Sequence, residues 1–229
     1  MFRYEEPSEE DQWRGYFNRA EEIFKAAEAR KGQKPINKPS RFQYIFQHNL
    51  QDEAQRKTRV AGSDEGMTTI SFNITYNEHP PCTIPFATLE KRFLDDLRLE
   101  IAHRGSYLIL RAVVNPIKYV SMTTVAEDEN GEVELVQVYN QDERRSPESI
   151  MPEGQVFIVK EPYFKGNAGG GTSIRVDHVS DIIFLDSEDD RIPEKWRPRI
   201  RQLETRPLDW KDDGNRFYKE KQYFEAAQW

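Results

Sequence analysis

The stretch "TTVAEDENGEVELVQVYN", Thr123 to Asn140, decides how this chain is read. Asn130-Gly131 sits between "YVSMTTVAED" and "EVELVQVYN". It is the strongest short hairpin signal in the sequence, because a type I′ turn needs two residues that tolerate positive φ. Working outward, "SYLILRAVV" (106–114) is an earlier strand ended by Asn115-Pro116. "SPESIM" (146–151) reads as one helical turn with Ser146 as cap and Pro147 in the first position. "GQVFIVKEPYFKG" (154–166) is a fourth strand in which Pro162 sets a bulge or an unpaired edge. "TSIRVDHVSDIIFL" (172–185), reached through "NAGGG", is a fifth. Three strands, a short helical crossover and two more strands give the order of a five-stranded antiparallel OB-like β-barrel over 97–186. An open antiparallel sheet with the N-terminal helices on one face would use the same alternation.

The flanks are mixed. From Ser8 to Lys31, Trp13, Phe17, Ala20, Phe24 and Ala27 keep one helical face, and Ser8 with Asp11 forms a weak capping box. Gly32 and "KPINKPS" close that helix. A second helix is expected from Ser40 to about Arg56, carrying Phe42, Ile45, Phe46 and Leu50, with a polar, mobile tail. Residues 1–60 are thus a helical arm. In 61–96, "TISFNITY" (69–76) alternates as a half-buried strand, and Thr88 is placed to cap a short helix through "LEKRFLDDL". Beyond the barrel, 187–206 is a proline-bearing charged tether. In 207–229, Trp210, Gly214 and Phe217 lie at i, i+4 and i+7, with Ala226 where a second helix needs a small residue. That is the opening of a tetratricopeptide repeat, an incomplete helical hairpin that cannot bury its apolar face without stacked neighbours. The overall expectation is an α+β protein.

Composition narrows the function. Thirty-three basic and 40 acidic residues give a net charge of -7, and 37% of the chain is hydrophobic. Between Ser106 and Asp186, seven lysines and arginines face thirteen aspartates and glutamates. Phosphate neutralisation supplies most non-specific nucleic-acid affinity, so this balance argues against nucleic acid. The alternative, an OB-type single-stranded nucleic-acid binder, needs a local basic groove lined by aromatics such as Tyr107, Tyr119 and Phe157. Cys82 is the only cysteine, so no intramolecular disulfide forms, and no apolar run reaches the length of a membrane span. An intracellular protein, in cytoplasm or nucleus, is the expectation. His48, His79, His103 and His178 show no metal-ligand spacing, and His178 reads as a barrel-wall residue. "GNAGGGTS" lacks the Gly-Lys-Ser/Thr ending of a phosphate loop and joins strand to strand. No catalytic, cofactor-binding or metal-binding residue is assigned. Lys211 and Asn215, four apart on a helix, present an ammonium and an amide able to hold a carboxylate; a solvated surface pair is an equal reading.

"YLILRAVVNP", "TTVAEDENGEVELVQVYN", "EGQVFIVKEPYFK", "IRVDHVSDIIFLD" and "IPEKWRP", ahead of a repeat opening with Gly-Asn, resemble the N-terminal region of fungal proteins that combine tetratricopeptide repeats with a SET domain. The resemblance covers about Ile84 to Trp229. It implies a SET domain after the repeats, transferring methyl from S-adenosylmethionine to a protein lysine. The Asn-His-Ser/Cys-Cys box of that domain is absent here, its nearest echo being His48-Asn49 in reverse order, so no residue is assigned to methyl transfer. "KDDGN" (211–215) is also similar to the start of carboxylate-clamp repeats, which implies the C-terminal tail of a chaperone as a partner. The chain is therefore expected to be an N-terminal fragment, a truncated gene product or a short isoform. Its expected role is a non-catalytic accessory region that works by protein-protein interaction, with a basic protein partner suited to the acidic surface.

Overall fold

The computed structural model describes residues 9–60, 80–142, 144–167 and 171–197. The expected strand at 69–76 and the repeat at 207–229, with Lys211 and Asn215, lie outside the described residues. Contacts divide the chain into two units, Met1–Ile192 and Pro193–Trp229. The described part of the second is a short 3-10 turn, Glu194–Trp196.

The protein is mixed α+β. Helix α1 spans Glu9–Arg30 and α2 spans Arg41–Val60. Gly32 at φ +78° turns the chain out of α1, and its N–H donates to the Leu99 carbonyl at 2.9 Å. Ser40 starts α2 with reciprocal bonds: Gln43 N–H donates to Ser40 Oγ, and Ser40 N–H donates to Gln43 Oε1. The helix runs four residues beyond the expected Arg56. Its polar tail carries Asp52–Arg56 and Glu53–Lys57 pairs at i, i+4, each with the acid nearer the N-terminus, the orientation that supports a helix.

Among the described residues, ten strands form one sheet: β1 (Glu90–Lys91), β2 (Ile101–Ala102), β3 (Ser106–Ala112), β4 (Ile117–Lys118), β5 (Met122–Glu127), β6 (Val133–Val138), β7 (Val156–Lys160), β8 (Tyr163–Gly166), β9 (Thr172–Val176) and β10 (Ile182–Phe184). Helix α3 (Pro147–Ile150) lies between β6 and β7, with Ser146 Oγ accepting from Ser149 N–H as the sequence predicts. The ladder order is β10-β7-β3-β5-β6-β9-β8-β2, with β1 on β3 and β4 on β5.

A sealed, wholly antiparallel five-stranded cylinder is thus not what forms. The sheet has more strands, the path is not closed by a ladder, and β6–β9 and β1–β3 are parallel. The physical reason lies in two segments read as single strands. At Glu161-Pro162, Glu161 takes φ +44° and proline has no N–H, so the strand breaks into β7, paired with β3, and β8, paired with β9. After Val176 the chain leaves the ladder, makes a 3-10 turn at Val179–Asp181 and returns as β10 along β7. His178 lies before that turn, outside β9, and is not a wall residue. The short helix expected after Thr88 is also replaced, by β1 and a 3-10 turn at Leu94–Asp96.

The hairpin at Asn130-Gly131 is present with a different turn. Of the pair only Gly131 takes positive φ, +84°, and its N–H donates to the Asp128 carbonyl while Asp128 N–H donates to that of Glu132. That is a type I turn followed by a bulge glycine, not a two-residue type I′ turn. The buried Asp128 carboxylate accepts from the N–H groups of Leu94, Asn130 and Glu132 and so reserves the loop's first position. The inner face of the sheet is apolar: Leu108, Leu110, Val136, Phe157 and Ile174 are fully buried, with Leu97 and Met151 packed among them.

Candidate interaction surface

α2 lies on β5 and β6. Tyr44 packs with Val114, Val125 and Val133, flanked by Ile45 and Leu135. One turn on, His48 Nε2 bonds the Thr123 carbonyl at 3.3 Å, and further along Gln55 Nε2 donates to the Lys118 carbonyl at 2.6 Å. Tyr44, His48 and Gln55 share one helical face, so α2 is anchored to the sheet at three points along its length.

Two carboxylates fasten this helix. Glu134 is 1% exposed. It accepts from the Tyr44 hydroxyl at 2.7 Å, the Thr172 hydroxyl at 2.7 Å and the Leu135 N–H at 3.0 Å. Burial pushes its pKa up, against the donors that pull it down. Burial, with the Glu134 charge, likewise pushes the Tyr44 hydroxyl well up, so it stays a donor. At the start of α2, Arg41 and Arg111 of β3 both pair with Glu127. Burial would raise Glu127, but the two guanidiniums outweigh it and hold its carboxyl below the ordinary value. Glu134 could have been found in sequence: in "EVELVQV" it shares parity with Val136 and Val138, a carboxylate on a core face. Tyr44 carried no such signal.

The opposite face of α2 is bare. Phe42, Phe46 and Leu50 are 74%, 52% and 50% exposed, and the two phenyl rings stack at 5.9 Å. At the C-terminal end of α2 a polar cleft of about 590 Å³ opens against β4 and the loop before α3, lined by Arg56, Lys118, Arg144 and Arg145 with Asp52 and Glu148.

The aromatics considered as stacking platforms do not assemble. Phe157 is in the core, Tyr107 packs on Phe86, and only Tyr119 is well exposed. Among the described residues no group of three or more His, Cys, Asp or Glu is placed to hold a metal ion, and no helix is long and apolar enough to cross a membrane. His48 and His103 are both buried and held below the usual histidine range by burial.

No family model matches the chain. It is similar to a Gibberella zeae protein described as "Methyltransferase", 35% identical over 192 residues. The match covers 77% of this chain and 26% of that protein, so the chain spans about a quarter of its relative's length. A fungal methyltransferase relative is thereby established; the match by itself displays neither repeats nor a SET domain. Among solved structures, the OB domain of a Methanosarcina mazei protein is 13% identical with a TM-score of 0.28, covering 35% of this chain and 72% of that one. Schizosaccharomyces pombe Pot1pC bound to single-stranded DNA is 12% identical with a TM-score of 0.35, covering 44% and 90%.

Proposed function

We propose that this chain is a non-catalytic N-terminal accessory region of a tetratricopeptide-repeat and SET methyltransferase-like protein, acting by protein-protein interaction from an OB-like core. The observation that carries the reading is α2 seated on β5 and β6. The second and third strands of an OB barrel form the face on which such folds take oligonucleotides. Here β3, β5 and β6 stand in the places of the first three strands, and that face is filled by Tyr44 and His48. Single-stranded nucleic acid, the alternative reading, would require α2 to detach and expose Val125, Val133 and Leu135. The match to about a quarter of a fungal methyltransferase supports an appended region, with repeats expected from 207 onward. A net charge of -7 supports a basic protein partner.

The test is titration of the full chain with a labelled lysine- and arginine-rich peptide of histone-tail composition, beside a single-stranded oligonucleotide. Peptide binding that weakens with salt, with no methyl transfer from S-adenosylmethionine, is the expected result. Salt-insensitive or absent peptide binding, or methyl transfer by this chain, rejects the reading.

A further inference from the structure

We propose that Ser146 is a phosphorylation site for a proline-directed serine kinase, and that the cleft at the C-terminal end of α2 receives the phosphate through Lys118 and Arg145. The inference goes beyond the protein-interaction reading and does not depend on it. The chain has 13 prolines, and Pro147 alone follows a serine or threonine. Arg144 and Arg145 precede Ser146 directly, so the hydroxyl lies in the sequence Arg-Arg-Ser-Pro. Proline-directed kinases take serine in an extended backbone with proline next in line, because proline brings no N–H that would need a partner in the enzyme. Ser146 already holds that shape, at φ -68° and ψ 145°, since the ring of Pro147 bars the helical region to the residue before it.

The hydroxyl is presented for reaction. Ser146 is exposed, and its Oγ accepts from Ser149 N–H at 3.2 Å, while its own hydrogen goes to no acceptor among the described residues. Transfer from ATP forms a bond between Oγ and the γ-phosphorus and breaks the bond from that phosphorus to the bridging oxygen. ADP leaves, and the hydroxyl proton passes to a base of the kinase. The product carries about -1.5 to -2 charge at neutral pH.

Charge decides where that group rests. The cleft is lined by Ser146 itself together with Arg56, Lys118, Arg144 and Arg145, against Asp52 and Glu148. Arg56 pairs with Asp52 and also feels Glu148, and Arg144 pairs with Asp142. Arg145 donates to the Ser149 carbonyl at 2.9 Å, a neutral acceptor. Neither Lys118 nor Arg145 forms an ion pair among the described residues. In a chain of net charge -7 these two uncompensated cations stand out, and a phosphate on the serine beside them matches their charge. Helix α3 has only four residues, so the receiving charge is on side chains and not on a helix end. Lys118 belongs to β4 and Arg145 to the loop before α3, so the phosphate ties that loop to the sheet.

The test uses the full 229-residue chain in two arms. In the first, the folded chain is incubated with ATP and a mitogen-activated or a cyclin-dependent kinase, and the modified residue is located by mass spectrometry. Phosphate is expected on Ser146; Ser146→Ala should abolish it, and Ser149→Ala should leave it unchanged. In the second, phosphoserine is installed at position 146 during translation and its second ionisation is followed by phosphorus NMR. Lys118 and Arg145 favour the dianion, so the midpoint is expected about half a unit below that of an isolated phosphopeptide of residues 140–151. Lys118→Met, remote from the serine in sequence, is expected to remove most of that difference without altering phosphorylation by the kinase. Circular dichroism checks that each variant is folded. Phosphate found only elsewhere, no phosphorylation by either kinase, a midpoint equal to the peptide's, or a midpoint that ignores Lys118→Met would each overturn the proposal.

Discussion

Tyr44→Phe isolates the contact that seats α2 on the sheet. The ring stays among Val114, Val125 and Val133, and only the hydroxyl is lost, with its 2.7 Å bond to Glu134 and its 3.3 Å contact to Thr172. A hydrogen bond to an ionised group contributes about 1.5–3 kcal/mol, and a neutral one about 1 kcal/mol. Glu134 keeps the Thr172 and Leu135 donors, so the lower part of that range applies, about 2 kcal/mol with the carboxylate ionised. In a Glu134→Gln background the same substitution should cost about 1 kcal/mol, a coupling of about 1 kcal/mol.

The pH dependence has a definite sign. Burial raises the folded-state pKa of Glu134, so its contribution is fully present below the unfolded carboxylate value of about 4.3 and is lost as pH rises through the folded value. The stability of Glu134→Gln relative to the parent should therefore improve with rising pH, and the cost of Tyr44→Phe should grow over the same range. Urea unfolding followed by circular dichroism, at pH values on both sides of the folded pKa, measures all four corners of the cycle. A Tyr44→Phe cost that is absent, or identical with and without Glu134, would refute the account of how α2 is held.

His103 carries a second prediction. Its Nε2 accepts from Arg98 N–H at 2.9 Å and its Nδ1–H donates to the Pro162 carbonyl at 3.1 Å, so the neutral ring uses both nitrogens. Burial, with Arg92 nearby, depresses its pKa; the stability it contributes is present above the unfolded value of about 6.5 and is lost as pH falls toward the folded one. Ring NMR should show a midpoint below about 6.5, and a midpoint at or above that value would contradict the bonding described. Gly131→Ala forces a side chain into φ +84° and should cost about 1 kcal/mol in urea unfolding; an unchanged midpoint would mean that the turn had been misassigned.

The strands themselves were legible. Alternation marked β3, β5, β6, β7 and β9, Asn130-Gly131 marked the hairpin, and Ser146-Pro147 marked the start of α3, because each is a local signal within a few residues. The errors fall where distant groups decide. Asp128 reaches Leu94 N–H across the chain and selects one turn over another. Glu161 takes a left-handed conformation while its carboxylate bonds Gly105 N–H and pairs with Arg104, and so divides into two a strand in which the sequence marks only a bulge or an unpaired edge at Pro162. Of the candidate sites, Lys211 and Asn215 lie outside the described residues, and of α2 the sequence shows only a helix with Phe42, Ile45, Phe46 and Leu50 on it.

The sequence by itself determined the balance of α and β, the strand segments and the acidic charge, since periodicity, turn chemistry and composition are properties of neighbouring residues. Tertiary structure alone decided which side of α2 is buried. Its apolar residues surround the helix, and hydrophobicity cannot rank Tyr44 against Phe42. The choice falls to a buried carboxylate on β6 whose lone pairs need a hydroxyl donor, which tyrosine has and phenylalanine lacks.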